Sequence, residues 1–148
     1  TTDGWQMVLD VNLSANWRLI RTLDPLLKRA EAGRAIFVSA GAASATSAYW
    51  GPYAVSKAGL EALARTYALE CADTAVRVSI VDPGPVRTLM RAKAYPGEDP
   101  MSLTAPEEVA PLFVELASAT GGDAPLMVSA PEWLRRRAPA KAHADSGP

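Results

Sequence analysis

The chain is predicted to be an α/β protein: a parallel sheet of three strands with helices on both faces. Two stretches, 34–39 and 76–81, are short continuous apolar runs of β-formers, the pattern of strands buried on both sides. Between them lies a helical run of about 20 residues, and a strand, helix and strand in that order make a βαβ unit with parallel strands and a right-handed crossover. A length of 148 residues, 49% hydrophobic and 21% charged, suits a single globular domain with a real core.

Taken in order, the first element is a helix from Thr2 or Asp3, either a plausible N-cap, through Ala32. Leu9, Leu13, Trp17, Ile20, Leu23 and Leu27 recur at spacings of three or four. Pro25 is expected to kink or divide it, because the ring clashes one turn back, and Gly33 to stop it. The strand at 34–39 follows, then a Gly-, Ala- and Ser-rich loop to Pro52. The second helix, over 53–72, carries Leu60, Ala64, Tyr67 and Cys71 on its core side and a Glu61–Arg65 pair on its wet side. The strand at 76–81 ends in Asp82-Pro83-Gly84-Pro85, a firm stop. A long connection to Ala105, with a weak helical pattern over 86–93, has the length of a functional lid or a disordered segment. Thr104-Ala105-Pro106-Glu107 is a capping-box pattern opening a helix to about Ser118, with Pro111 an irregularity. After the Gly121-Gly122 turn, Leu126-Met127-Val128 is the third strand, and 131–148 is expected to be a poorly ordered tail with Arg135-Arg136-Arg137 in solvent.

Composition excludes several classes of function. A formal net charge of -1 gives no general electrostatic grip on nucleic acid or an anionic membrane surface. The single cysteine, Cys71, rules out an internal disulfide and a cysteine metal cluster, and its place on an apolar helix face marks it as a buried thiol. The one histidine, His143, lies in the polar tail, so no Ser-His pair and no metal-ligand cluster is expected. No apolar stretch reaches membrane-spanning length and no leader pattern occurs in the first 20 residues, which makes the cytoplasm the expected compartment.

The chemistry gathers around Tyr53-Ala54-Val55-Ser56-Lys57. Residues four apart on a helix share a face, so a phenol and an ammonium are brought to one space at the helix start. A nearby cation favours tyrosinate, drawing an acid with an ordinary pKa of about 10 toward usefulness near neutral pH. Ligands in sheets of this type sit beyond the carboxyl ends of the strands. Three segments reach that edge: the loop after Ser39, the start of the Tyr53 helix, and the Pro83-Gly84 turn with Thr88 beyond it. Asn12, inside the first helix, is an unfavourable residue there unless its amide is used.

These residues carry a resemblance. Asp10-Val11-Asn12-Leu13, Ile36-Phe37-Val38-Ser39, Tyr53-x-x-x-Lys57 and the run from Val81-Asp82-Pro83-Gly84 to Val86-Arg87-Thr88 resemble, in order and spacing over residues 5–129, the carboxyl-terminal part of a classical short-chain dehydrogenase/reductase. Arg87-Thr88, Met90-Arg91 and Glu98-Asp99-Pro100 also resemble a proteobacterial subgroup of that family. The resemblance implies a partial Rossmann-like, doubly wound parallel sheet and an NAD- or NADP-dependent oxidoreductase acting on a small carbonyl or alcohol substrate. By the same resemblance Tyr53 passes the proton, Lys57 lowers its pKa and bonds the nicotinamide ribose, and Asn12 holds a water leading to Lys57. Ser39 stands on the substrate side, and Pro83, Gly84, Val86 and Thr88 hold the carboxamide end of the cofactor.

Two departures from the family pattern shape the expectation. The family serine stands thirteen residues before the tyrosine, where this chain has Ala40; Ser39 is one place earlier, and one residue changes the face of a strand. Ser44 is the other hydroxyl in reach. No G-x-G-x-x-G run occurs among the ten glycines, so the pyrophosphate cradle and the amino-terminal cofactor-binding half are expected to be missing. The sheet is then expected to have an open edge beside 34–39. The expectation is therefore a truncated oxidoreductase of weak or no activity. The alternative is a non-catalytic relative acting through homo-oligomerisation by its helices 5–32 and 53–72.

Overall fold

A computed structural model describes residues 2–45, 47–118 and 124–137. Three parallel strands, β1 (Arg34–Val38), β2 (Arg77–Asp82) and β3 (Met127–Ser129), lie in the order β1-β2-β3. The register sets Arg34 against Arg77 and Val38 against Val81, and Ser39 N–H continues the ladder to the Val81 carbonyl at 2.8 Å. Ile80 pairs Met127 and Asp82 pairs Ser129.

Alternation along each strand divides the core into two layers. Phe37, Val78 and Ile80 face α3 (Gly51–Glu70), packing on Leu60, Ala64, Tyr67 and Cys71, with Ile20 and Leu27 of α2 (Ala15–Arg29) behind them. Ile36, Val81 and Val128 face the other way, onto Val109, Leu112 and Leu116 of α5 (Pro106–Ala117) and onto α6 (Ala130–Arg137). Helices thus cover both faces as expected, and Cys71 is buried. The buried Tyr67 hydroxyl satisfies itself by donating to Asp24 Oδ1 at 3.0 Å, tying α3 to α2, and Lys28 pairs the same carboxylate at 3.0 Å. β1 is the edge strand of the sheet as described. Among the described residues, no helix is long and apolar enough to cross a membrane.

Several local expectations are corrected. The first helix already includes Thr2 and Asp3, and its irregularity is not at Pro25, through which α2 runs on. It lies at a π-helical segment, Asp10–Ser14, joining α1 (Thr2–Leu9) to α2. The helix ends at Arg29, before Gly33. α5 likewise runs through Pro111. Its N-cap is Ala105 rather than Thr104, and Glu108 supplies the one capping bond, its carboxylate accepting from Ala105 N–H at 2.8 Å.

The long connection is structured. It carries α4 (Leu89–Ala94) and a 3₁₀ turn, Pro100–Ser102, and its ends are joined by a Val86–Thr104 bridge and by Arg87 N–H to Thr104 O at 2.8 Å. The expected disordered tail is also corrected over 131–137. α6 ends the sheet's second layer, with Trp133 and Leu134 packed on the core and Arg137 reaching Glu115 at 3.3 Å. The Gly121-Gly122 turn, His143 and the rest of the tail lie outside the described residues.

The stop after β2 depends on Gly84. Its φ is +67°, and an added Cβ would stand 2.6 Å from Pro131 Cγ at the start of α6. Left-handed backbone costs a side-chain-bearing residue about 1–3 kcal/mol. We therefore expect Gly84→Ala to destabilise the fold by at least about 1 kcal/mol, measured by urea unfolding, with the 83–86 turn displaced from α6. Unchanged unfolding would show that the turn relaxes freely.

Candidate functional site

The carboxyl ends of β1 and β2 and the first turns of α3 meet at one edge. α3 opens with Pro52, whose fixed φ and missing N–H suit a first helical turn. That start places Tyr53 and Lys57 one turn apart. Lys57 Nζ donates to the Val38 carbonyl at the end of β1 at 2.9 Å and lies 5.8 Å from the Tyr53 ring centre. It is thus anchored to the sheet, with N–H groups remaining beyond the single bond to Val38.

The π-helical segment explains Asn12. One extra residue in a helical turn changes which side chains face inward, and such segments recur at functional sites. Here Asn12 Nδ2 donates to Ser56 Oγ at 3.0 Å, and Ser56 Oγ donates to the Tyr53 carbonyl at 2.8 Å. Asn12 O accepts from Asn16 Nδ2 at 2.9 Å, so both ends of Asn12 are used. A fully buried Ser56 therefore links Asn12 to the turn that carries Tyr53. Ser56 escaped sequence reasoning, although it lies inside the Tyr53–Lys57 stretch at helical spacing from Tyr53.

The Tyr53 hydroxyl makes no hydrogen bond among the described residues. Burial holds its pKa above the ordinary value near 10, and the Asp82 carboxylate adds to this. The expected lowering by Lys57 is not present in this arrangement; burial lowers the Lys57 pKa instead, while one of its N–H groups is given to Val38. Asp82, at the end of β2, also accepts from Gly84 N–H at 3.0 Å, which fixes the carboxylate and the turn together.

Ser39 is placed elsewhere. It is buried, and its hydroxyl donates to Glu61 Oε1 at 2.6 Å, two turns along α3 from Tyr53. Glu61 also pairs with Arg65 at 3.6 Å, as its spacing predicts. The one-residue shift from the Ala40 position thus turns the hydroxyl into the α3 contact, and Ser39 belongs to a structural ion pair. Ser44 donates to Gly41 O at 3.3 Å within its own loop. Thr88 is an exposed N-cap of α4, accepting from Arg91 N–H at 3.2 Å; its own proton remains to be given. Pro83, Gly84 and Val86 form the turn beside Tyr53 at the sheet edge, with Val86 packed on the second core layer.

An aromatic group closes this edge. Trp50 meets the Tyr53 ring edge to face at 5.6 Å and stacks on Tyr95 at 5.6 Å, while Arg91 covers Tyr95 at 3.8 Å. Sequence reasoning missed it, since Trp50 and Tyr95 are 45 positions apart and only the folded connection joins them.

A family model described as enoyl-(acyl carrier protein) reductase matches residues 1–121. The chain is 39% identical over 112 residues to the uncharacterized oxidoreductase YciK of Escherichia coli, covering 76% of this chain and 44% of the relative. It is 35% identical over 111 residues to 3beta-hydroxysteroid dehydrogenase 1 of Eggerthella lenta, covering 74% and 42%. Among solved structures, a short chain dehydrogenase of Salmonella enterica matches with a TM-score of 0.80 at 36% identity, over 85% of this chain and 52% of that one. A short chain dehydrogenase of Shigella flexneri complexed with NADP matches with a TM-score of 0.82 at 33% identity, over 88% and 55%. The chain spans somewhat under half the length of these curated relatives and about half that of the solved structures.

The Tyr53 environment makes a directional prediction. Asp82→Asn keeps an oxygen for Gly84 N–H but removes the negative charge that opposes tyrosinate, so the Tyr53 pKa should fall. Absorbance at the tyrosinate band, taken as a difference against Tyr53→Phe, reads this directly; a midpoint that rises or stays would show that Asp82 does not act on Tyr53.

Proposed function

This chain belongs to the short-chain dehydrogenase/reductase family, and from that premise we propose that it carries the proton-transfer side of an NAD(P)-dependent oxidoreductase. The observation that supports this most is the unbonded Tyr53 hydroxyl at the sheet edge, on a turn fixed by Asn12 and Ser56 and beside a Lys57 anchored to β1. A carbonyl or alcohol oxygen presented there can take or give the phenolic proton. Burial and the Asp82 carboxylate favour the phenol, and it is the phenol that can give a proton when a carbonyl is reduced.

The donor set fits the nicotinamide end of a dinucleotide. The N–H groups of Lys57 not bonded to Val38 suit ribose hydroxyls, and the Thr88 hydroxyl proton and the backbone from Pro83 to Val86 suit a carboxamide. Such a cofactor supplies the hydride; the protein supplies orientation and the proton. No G-x-G-x-x-G run occurs in these 148 residues. Ser39 is left out of the catalytic set, because its hydroxyl is committed to Glu61.

A second reading is favoured by a separate observation. Trp5, Val11, Trp17, Leu19, Leu23 and Leu26 on α1, the π segment and α2 are exposed, as are Val55 and Leu69 on α3. Apolar side chains in such number on two helices mark an association surface, so homo-oligomerisation through 5–32 and 53–72 accompanies or replaces catalysis.

Three measurements test these readings. The 148 residues alone should bind NAD(P) more weakly than micromolar in a fluorescence titration. Any nicotinamide-linked turnover on a panel of ketones and alcohols should drop about 10²–10⁴-fold in Tyr53→Phe; equal turnover in that variant removes Tyr53 from the chemistry. Sedimentation should show dimers or larger species at micromolar concentration, and Leu19→Glu with Leu23→Glu should return them to monomer. A wild-type monomer at high concentration rejects the association surface.

A further inference from the structure

The connection between β2 and α5 is joined to the proton-transfer tyrosine by a continuous run of side chains. Glu98 binds Arg91 through two bonds, Arg91 Nε to Oε2 at 2.6 Å and an Arg91 terminal nitrogen to Oε1 at 2.7 Å. This two-point geometry fixes the plane of the guanidinium, which lies 3.8 Å from the centre of the Tyr95 ring. Tyr95 stacks on Trp50 with 20° between the planes, and Trp50 meets the Tyr53 ring at 75°. Both aromatic contacts have geometries that ring quadrupoles favour. The loop that carries Tyr95 is itself closed at its base by the Val86–Thr104 bridge, so its tip is held at both ends.

The other side of Trp50 carries an independent sign that its position is imposed. Tyr49, immediately before it, has φ +68° and a wholly solvent-exposed side chain. It is the one non-glycine residue in left-handed backbone among the described residues. A bulky residue there costs about 1–3 kcal/mol and persists only where surrounding contacts overdetermine it. The exposed Tyr49 side chain offers no packing that offsets this cost, whereas Trp50 has two ring partners.

We propose that Trp50 and Tyr95 are positioning residues for Tyr53: loop 87–104, locked by Arg91 and Glu98, sets the orientation of the proton-transfer ring through the Tyr95–Trp50 stack. Asn12 and Ser56 fix the backbone of the Tyr53 turn from one side, and this stack fixes its ring from the other. One consequence concerns substrates. A substrate group that parts Trp50 from Tyr95 would therefore also release the Tyr53 ring from its neighbour. Displacing a reacting group by about 1 Å can cost about 10²-fold in rate, so the stack matters beyond stability.

This inference rests on Tyr53 being the proton-transfer group, and its test needs neither cofactor nor turnover. The readout is the Tyr53 titration in the 148-residue chain, by tyrosinate absorbance as a difference against Tyr53→Phe made in each background. The charged groups facing Tyr53 are Asp82 from β2 and Lys57 from α3, and both stay unchanged. Tyr95→Ala should admit water to the ring and lower the midpoint, whereas Tyr95→Phe, which keeps the stack, should restore it. The charge-neutral pair Arg91→Gln with Glu98→Gln unlocks the loop and removes the guanidinium over Tyr95 while leaving both aromatic residues in the sequence, and should lower the midpoint in the same direction. If Tyr95→Ala fails to fold by circular dichroism, the surface pair carries the test alone. A midpoint unmoved in the folded Arg91/Glu98 pair overturns the proposal. A chain without oxidoreductase activity that nevertheless shows these shifts overturns the proposed function and leaves the positioning intact.

Discussion

The parallel ladder between β1 and β2 decides where every chemical group of this chain can stand. Both strands run the same way, so Val38 and Asp82 arrive at one edge, and the crossover must return over one face as α3. The Val38 carbonyl, the last ladder group of β1, is the acceptor for Lys57. Asp82, the last residue of β2, is the carboxylate that opposes ionisation of Tyr53. Shifting the β1–β2 register by one residue would exchange Phe37 and Ile36 between the two core layers, and it would also move the Lys57 acceptor relative to the carboxylate beside Tyr53.

That placement makes the site electrostatically restrained. Burial and Asp82 favour the phenol over the phenolate, and burial disfavours the ammonium. Neither group gains from the other in this arrangement, because Lys57 bonds Val38 and not the Tyr53 hydroxyl. A tuned acid therefore requires something that draws the ammonium toward the phenol or adds positive charge beside it. The chain's own residues hold the proton; they do not by themselves lower the cost of releasing it.

Much of this was legible from residue spacing, and the misses share a physical cause. Helical period placed Tyr53 with Lys57 and put Leu60, Ala64, Tyr67 and Cys71 in the core; continuous apolar runs gave β1 and β2 within a residue. Those are local properties. What escaped was set by contacts distant in sequence. Asp10–Ser14 is π-helical where Asn12 meets Ser56, 44 positions on. Pro25 was expected to interrupt a helix that runs on through it, while Tyr67 bonds Asp24 beside it. Residues 131–137 look polar and basic in composition, yet Trp133 and Leu134 find a core face and Arg137 finds Glu115.

Ser39 shows how a single register position separates family likeness from chemistry. The buried hydroxyl is real and its hydrogen bond is short, yet the bond runs to Glu61 on the middle of α3. The serine therefore serves the packing of β1 against α3, and the glutamate it binds is partly neutralised by Arg65. At the next position, where a hydroxyl would turn the other way, stands Ala40, which has none to offer. In the proposed reaction, polar assistance to a substrate oxygen other than that of Tyr53 would come from elsewhere at the edge. Next to Tyr53 stand Trp50 and, stacked on it, Tyr95, which supply ring faces. The site accordingly depends on the orientation of one phenol more heavily than a site with two hydroxyls would. This gives physical weight to the aromatic stack that holds its ring and to the Asn12–Ser56 link that holds its backbone.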